Sequence, residues 1–369
     1  MPRNEYPAPL VIPPLDGEHT HTIISLHGTG SNADRFGPVL LATANLQARL
    51  PTVKFVFPTA SKRRATRFRK MVINQWFDNY SIEDPGERTD LQAEGLCETA
   101  EFIRGLISEE VRILGAGSHR KIILWGLSQG CAAGIFTLLG GWLDASETRT
   151  IGAFVGMSGW LPFEQQFYEI LRCGENPAST RDIQETQYDD TLDSDSYSVS
   201  EDGEAATQPS DSDEESDANA DAFSELDLDD DPFIRSSPSY DDFDPFAGNE
   251  EEASLIDHAM SHVRDILDLP MIPACDHSTE ESQPQSSFHH LQLPIFIGHG
   301  AEDLQVSVEL GRNMSHVLSV GLGMDVTWKA YEGLGHWYRE DEIEDILRFL
   351  QDRVDLPVTE VPYQDQCDN

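Results

Sequence analysis

Lys121-Ile-Ile-Leu-Trp-Gly-Leu-Ser128-Gln-Gly-Cys-Ala-Ala-Gly134 runs from a stretch of large apolar residues, through Gly-x-Ser-x-Gly, into small residues that open a helix. Ile122 to Trp125 fit a strand covered on both faces. Gly126 and Gly130 permit a sharp turn, so the Ser128 hydroxyl stands above the strand end with a helix N-terminus behind it. A serine hydroxyl is a poor nucleophile at neutral pH. It needs an imidazole to take its proton and a carboxylate to orient that imidazole.

Outward from this turn the same alternation repeats. Thr22–Leu26, Val53–Phe57, Lys121–Trp125, Ile151–Met157, Leu293–Ile297 and Val326–Tyr331 read as buried strands. Helices are predicted over Leu91–Leu114, Gln129–Leu139, Val306–Val320 and Asp341–Arg353. In the first of these, Leu96, Ala100, Ile103, Ile107, Val111 and Leu114 recur at helical spacing, and Thr89 with Gln92 forms a capping-box start. Strands alternating with helices predict an α/β fold with a mostly parallel central sheet flanked by helices. Residues 15–173 and 291–357 supply these elements and suffice for one domain with its own core. Residues 1–14 and 358–369 read as tails.

The chain of 369 residues carries a net charge of −41, but the acidity is local. Glu175 to Asp257 hold 28 Asp and Glu against Arg181 and Arg235, which accounts for about 26 of those charges. Residues 174–252 bury too little apolar surface to offset chain entropy, and a long disordered acidic insertion is expected there. Phe223, Phe233 and Phe243 among its acids suit a segment that folds onto a protein partner; a solvated spacer is the plainer alternative. Within 253–290, an apolar stripe from Ala253 to Leu269 predicts an amphipathic helix ended by Pro270, either packed on the core or acting as a movable lid over the site.

Nucleic acid is not an expected partner, because the one basic cluster, Lys62, Arg63, Arg64, Arg67, Arg69 and Lys70, reads as a short solvated loop. Cys97, Cys131, Cys173, Cys275 and Cys367 are scattered and form no Cys-x-x-Cys pair, which argues against a disulfide framework or a zinc site. No run of 18 apolar residues occurs, and Met1–Pro14 lacks a signal-peptide core. These features predict a soluble cytoplasmic or nuclear protein with at most peripheral membrane contact.

In a fold with this elbow the acid and the histidine follow the serine. Of His258, His262, His277, His289, His290, His299, His316 and His336, only His336 sits in a glycine-rich loop after a strand, in Tyr331-Glu-Gly-Leu-Gly-His336-Trp337. Asp303 follows the strand at Leu293–Ile297 and is the candidate carboxylate, with Glu302 as its rival. Acyl transfer also needs donors for the developing oxyanion. The amides of Gln129 and of Thr29, in Leu26-His-Gly-Thr29-Gly-Ser-Asn32, are the candidates; a structural turn closing the strand is the other reading of that loop.

Six motifs, taken together, resemble the acyl-protein thioesterase, lysophospholipase and carboxylesterase group of α/β-hydrolases. They are Leu26-His-Gly-Thr-Gly, Gln75-Trp-Phe-Asp78, Gly126-Leu-Ser-Gln-Gly, Met157-Ser-Gly-Trp-Leu-Pro162, Gly298-His-Gly-Ala-Glu-Asp303 and Tyr331-Glu-Gly-Leu-Gly-His336. The resemblance implies nucleophile Ser128, acid Asp303, base His336 and oxyanion amides from Thr29 and Gln129, with no metal or cofactor. It further implies pocket residues at Trp76, Asp78, Trp160 and Leu161. The implied substrates are S-acylated proteins, lysophospholipids or small carboxylic esters. A small-molecule esterase without protein substrates, and an interaction protein recruiting partners through its acidic stretch, are the alternatives. Thr29, Trp337, the basic run before Trp76 and the acidic insertion depart from the family pattern and bear on substrate choice.

Overall fold

Strands rich in Val, Ile and Phe that are buried on both faces need helices above and below them. The computed structural model places them so, and it describes residues 5–142, 149–172, 248–271 (side chains from 255) and 288–360. In chain order the first elements are β1 (Leu10–Ile12), β2 (His21–Leu26), α1 (Ala33–Ala42), α2 (Leu46–Arg49), β3 (Val53–Phe57), β4 (Lys62–Ala65), β5 (Met71–Asn74) and α3 (Ala93–Leu114). Then come β6 (Ile122–Leu127), α4 (Gln129–Leu139), β7 (Ala153–Met157), α5 (Glu164–Leu171) and α6 (Gly248–Ile266). The chain closes with β8 (Ile295–Gly300), α7 (Val308–His316), β9 (Val326–Tyr331) and α8 (Glu340–Val354). All belong to one unit made of Met1–Asp182 and Ala247–Asn369.

Among the described residues, seven strands form one sheet in the order β1-β3-β2-β6-β7-β8-β9, parallel except for β1 against β3. The register matters more for function than the order does. Leu26 pairs with Gly126, Leu127 with Met157, and Met157 with Gly298. The loops that follow β2, β6, β7 and β8 therefore leave the sheet along one edge, where open parallel sheets hold their sites.

Side chains alternate between two cores. Ile24, Leu26, Ile122 and Leu124 pack with Leu96, Ile103 and Ile107 of α3 and with Ile135 and Phe136 of α4. On the opposite face, Ile23, Ile123 and Trp125 pack with Phe36 and Leu40 of α1 and with Ile343, Ile346 and Leu350 of α8. Each large side chain so buried contributes about 1.5–3 kcal/mol.

Several expectations need correction. The segment read as an N-terminal tail supplies β1, an edge strand pairing Leu10 with Phe57 and Ile12 with Phe55. The basic run is not a solvated loop: β4 and β5 form an antiparallel hairpin, and Arg63 donates to Glu98 at 2.6 Å. No capping box opens α3, because the Gln92 side chain donates to the Pro85 carbonyl and Thr89–Leu91 form a 3-10 turn. The helix expected from Val306 starts at Val308, capped by Ser307, and gives way to a wider turn over Val317–Gly321. The acidic stretch from 174 to 247, expected to be disordered, lies outside the described residues.

The amphipathic helix begins at Gly248, earlier than expected and inside the stretch assigned to the insertion. Its apolar stripe joins the core: Ala259, Met260, Val263 and Leu267 are buried. Arg264 anchors it, with Nη1 donating to the Gly140 carbonyl (2.6 Å) and the Trp142 carbonyl (3.0 Å) and Nε to that of Pro270 (2.7 Å). Gly140 caps the end of α4, about 18 Å along that helix from Ser128 at 1.5 Å per residue. Packing, rather than a lid, therefore describes residues 259–269. Leu267→Ala should lower the unfolding free energy in urea by about 2–5 kcal/mol; a helix riding loosely over the surface would show almost no loss.

Glu342, in the first turn of α8, is fully buried over Gly298, and neither carboxyl oxygen has a hydrogen-bond partner among the described residues. Burial, reinforced by the nearby Asp341 charge, pushes its carboxyl up to about 8. An acid raised in the folded state is stabilising below its unfolded value and loses that contribution as pH rises toward the folded value. The window here runs from the ordinary 4.5 to about 8. Glu342→Gln should therefore flatten the decline of melting temperature across this window, gaining most at its alkaline end; a parallel decline in both proteins would contradict this assignment.

Candidate active site

The turn between β6 and α4 is strained and tightly enclosed. Ser128 adopts φ 56° and ψ −122°, a region that costs a non-glycine residue about 1–3 kcal/mol and persists only when its surroundings enforce it. Its amide donates to the Met157 carbonyl at 2.8 Å. A Cβ on Gly126 would fall 2.5 Å from the Cys131 nitrogen, and one on Gly130 would fall 2.4 Å from the Leu26 carbonyl oxygen. Both glycines are required by close backbone approach.

The loops after β8 and β9 bring the other two groups to this serine. His336 Nε2 is 3.1 Å from Ser128 Oγ, and His336 Nδ1 is 2.7 Å from Asp303 Oδ2. Asp303 Oδ1 accepts the amides of Gln305 (2.8 Å) and Val306 (2.9 Å). Burial alone would raise this carboxyl, but hydrogen bonds from His299, His336 and the Val306 amide outweigh it and hold the group well below the usual carboxylate range. Glu302, the rival acid, instead accepts the Gly333 amide at 3.2 Å. An ionised carboxylate, an imidazole and a hydroxyl thus stand in line, the arrangement that moves a proton from serine to histidine.

On the other side of the serine lies the loop after β2. A Cβ on Gly28 would be 3.3 Å from that of Ser128. His27 Nε2 accepts the Ala60 amide at 3.0 Å, so Nδ1 carries the proton and donates to the Gly28 carbonyl at 2.7 Å. Burial pushes this imidazole down to about 4, the Gly28 bond offsetting part of the effect, and His27 serves as a neutral strut. Trp76 Nε1 donates to the His27 carbonyl (2.7 Å), and the Gly30 amide to that of Asn74 (2.8 Å). The Gln129 side chain ties in the same segment, accepting from the Trp76 amide (2.9 Å) and donating to the Phe77 carbonyl (2.8 Å). The Thr29 amide meets no acceptor among the described residues. Gln129, first in α4, has no intrahelical acceptor for its amide. Two such donors therefore flank the hydroxyl, one in the loop after β2 and one at the head of α4.

The expected pocket residues divide. Trp76 is fully buried and braces the loop after β2. Asp78 is taken up by the hairpin turn, accepting from the Thr66 amide at 2.8 Å and from its hydroxyl, so support rather than pocket lining describes both. Trp160 is buried edge-on to Phe77. Leu161 lines a cavity of about 470 Å³ together with Leu310, Glu164 and Asn313. Sequence reasoning missed His27, the Gln129 side chain and His299; only their places inside the motifs could have signalled them. It also missed Leu304, 98% exposed beside Asp303, which with Trp337, 47% exposed beside His336, sets apolar surface next to the two loops.

Residues 8–181 and 271–354 match the model of the phospholipase/carboxylesterase family. The chain is 33% identical over 159 residues to acyl-protein thioesterase 1 of Yarrowia lipolytica, covering 43% of this chain and 65% of that one. It is 28% identical over 155 residues to acyl-protein thioesterase 1 of Cryptococcus neoformans, covering 42% and 60%. These matches span less than two thirds of the curated relatives' length. In structure it resembles Zea mays acyl-protein thioesterase 2, with a TM-score of 0.53 at 17% identity over 95% of this chain and 100% of that one, a likeness of fold. With the family model matched across both sequence blocks that build the sheet, the chain belongs to the phospholipase/carboxylesterase family of α/β-hydrolases.

Proposed function

We propose that the protein is a serine hydrolase that cleaves carboxylic esters or thioesters through an acyl-enzyme on Ser128. The observation that carries this reading is His336, bridging Ser128 Oγ and Asp303 Oδ2 at hydrogen-bonding distance on both sides. As Ser128 attacks the carbonyl carbon, His336 Nε2 takes its proton, and the Asp303 carboxylate stabilises the resulting imidazolium. The amides of Thr29 and Gln129 receive the oxyanion, each worth roughly 3 kcal/mol by the cost of deleting such a donor. His336 then returns the proton to the departing alcohol or thiol. In the second half-reaction it takes a proton from water as the water oxygen attacks the acyl carbon, and returns that proton to Ser128 Oγ as the acyl bond breaks, which releases the carboxylic acid.

The acyl group we propose is a fatty one. Leu304 and Trp337 offer exposed apolar surface beside the acid and the base, where each methylene removed from water is worth about 0.8 kcal/mol. The names of the relatives favour S-acylated proteins as the donors of that group, with the thiol of a cysteine as the leaving group.

Ser128→Ala should abolish labelling by a fluorophosphonate and lower kcat/KM on a p-nitrophenyl ester by roughly 10,000-fold or more; equal labelling of wild type and variant would remove Ser128 as nucleophile. Across p-nitrophenyl acetate to octanoate, the wild type should gain up to about fourfold in kcat/KM per added methylene, and Leu304→Ser with Trp337→Ser should flatten that rise. An unchanged chain-length profile in the double variant would place acyl recognition elsewhere.

A further inference from the structure

A second histidine meets the acid of this site. His299 lies at the C-terminal end of β8 and is fully buried. Its Nε2 stands 2.9 Å from the Val306 carbonyl oxygen and 3.4 Å from Asp303 Oδ2. Both neighbours are acceptors whenever Asp303 is ionised, so Nε2 carries the proton and shares it between them. Nδ1 is left as a lone pair with no hydrogen-bond partner among the described residues. It packs on the backbone of α7 so closely that a Cβ on Gly311 would come within 2.3 Å of it. Trp328 of β9 covers the ring from another side, at 6.2 Å between centroids. Neither Gly311 nor Trp328 titrates. The ionisable groups around the ring are Asp303, His336 across that carboxylate, and Glu342 of α8 over the neighbouring Gly298.

The Asp303 side chain has no exposed surface, and a buried carboxylate needs a donor for each of its lone-pair directions. Oδ1 takes the amides of Gln305 and Val306. Oδ2 takes His336 Nδ1, and His299 Nε2 is the fourth donor. Val306 closes the arrangement, since its amide serves Asp303 while its carbonyl accepts from His299. The imidazole and the acid turn hold each other in place.

We infer that His299 is a positioning residue: its Nε2–H orients the Asp303 carboxylate toward His336 and draws negative charge from the oxygen the two histidines share. The inference rests on the hydrolase reading above and adds to it a residue that never touches substrate. Without this donor, Oδ2 keeps more charge and favours the protonated form of His336. The neutral base is then lost at a higher pH, and the carboxylate is free to turn away.

The test is the pH profile of kcat/KM on p-nitrophenyl butyrate for wild type, His299→Met, His299→Gln and Gly311→Ala. Methionine fills the space without a donor, whereas the glutamine amide can reach the same two acceptors. His299→Met should lower kcat/KM by about ten- to a hundredfold and move the acid limb up by about half a pH unit or more. His299→Gln should restore most of both. Gly311→Ala, which presses on the ring while leaving the donor in the sequence, should move the limb in the same direction by less. A wild-type limb in His299→Met overturns the inference, whatever the loss of rate, and so does a limb in His299→Gln displaced as far as in His299→Met. If His299→Met does not fold, the remaining two decide: a displaced limb in Gly311→Ala with a wild-type limb in His299→Gln supports it, and any other pairing overturns it. Wild-type hydrolysis that survives Ser128→Ala overturns the hydrolase reading instead and takes this inference with it.

Discussion

No side chain fits at Gly130. A Cβ there would stand 2.4 Å from the carbonyl oxygen of Leu26, so the first turn of α4 lies directly against the end of β2. That approach places Ser128, at the head of α4, beside Gly28 in the loop after β2. It also brings the head of α4, where Gln129 lies, against the end of the strand that leads into the Thr29 loop. The positive φ of Ser128 is the local cost of this arrangement, and the parallel pairing of β2, β6 and β7 supplies the rigidity that sustains it.

Opposite states of charge divide the buried polar groups by task. His27 is neutral and braces a loop through two backbone contacts, since burial removes its charge. The Asp303 side chain is also enclosed yet ionised, because four donors converge on it and burial is outweighed. At Glu342 burial and the Asp341 charge outweigh the Arg339 backbone and guanidinium, and the carboxyl is held in the neutral form near neutral pH. Hydrogen-bond donors within reach, together with depth, separate the group suited to hold a charged imidazole from the group that only fills space.

Much of this was legible from residue order. The strands at Val53–Phe57 and Val326–Tyr331 and the helix Gln129–Leu139 coincide with their expected limits, because short runs rich in β-branched and aromatic residues favour strands and the small residues after Ser128 favour a helix. Ser128, Asp303 and His336 were separable from seven other downstream histidines and a neighbouring Glu by their places after strand ends. The edge strand Leu10–Ile12 and the hairpin of the basic run were not legible. Three residues preceding a Pro-Pro pair carry no period, and a basic strand gains its partner only when Glu98 of α3 comes alongside Arg63. Asp78 looked like a pocket residue because it sits inside a motif, yet its carboxylate is consumed by the Thr66 turn.

The sequence by itself determined the α/β class, the strained nucleophile turn and the identity of the candidate acid and base, since each depends on local pattern: apolar runs, glycines at close approach, and a histidine or aspartate just past a strand. Tertiary structure alone decided which groups act on those residues. The helix beginning at Gly248 could have covered the site or joined the core, and Arg264 reaching the carbonyls at the far end of α4 selects the core. His299 could have been one more core histidine. It faces Asp303 because the turn after β8 folds back until the Val306 amide meets the carboxylate. Partners of this kind lie close in space only after the sheet has formed, and a hydrogen bond between them leaves no periodicity in the chain to read.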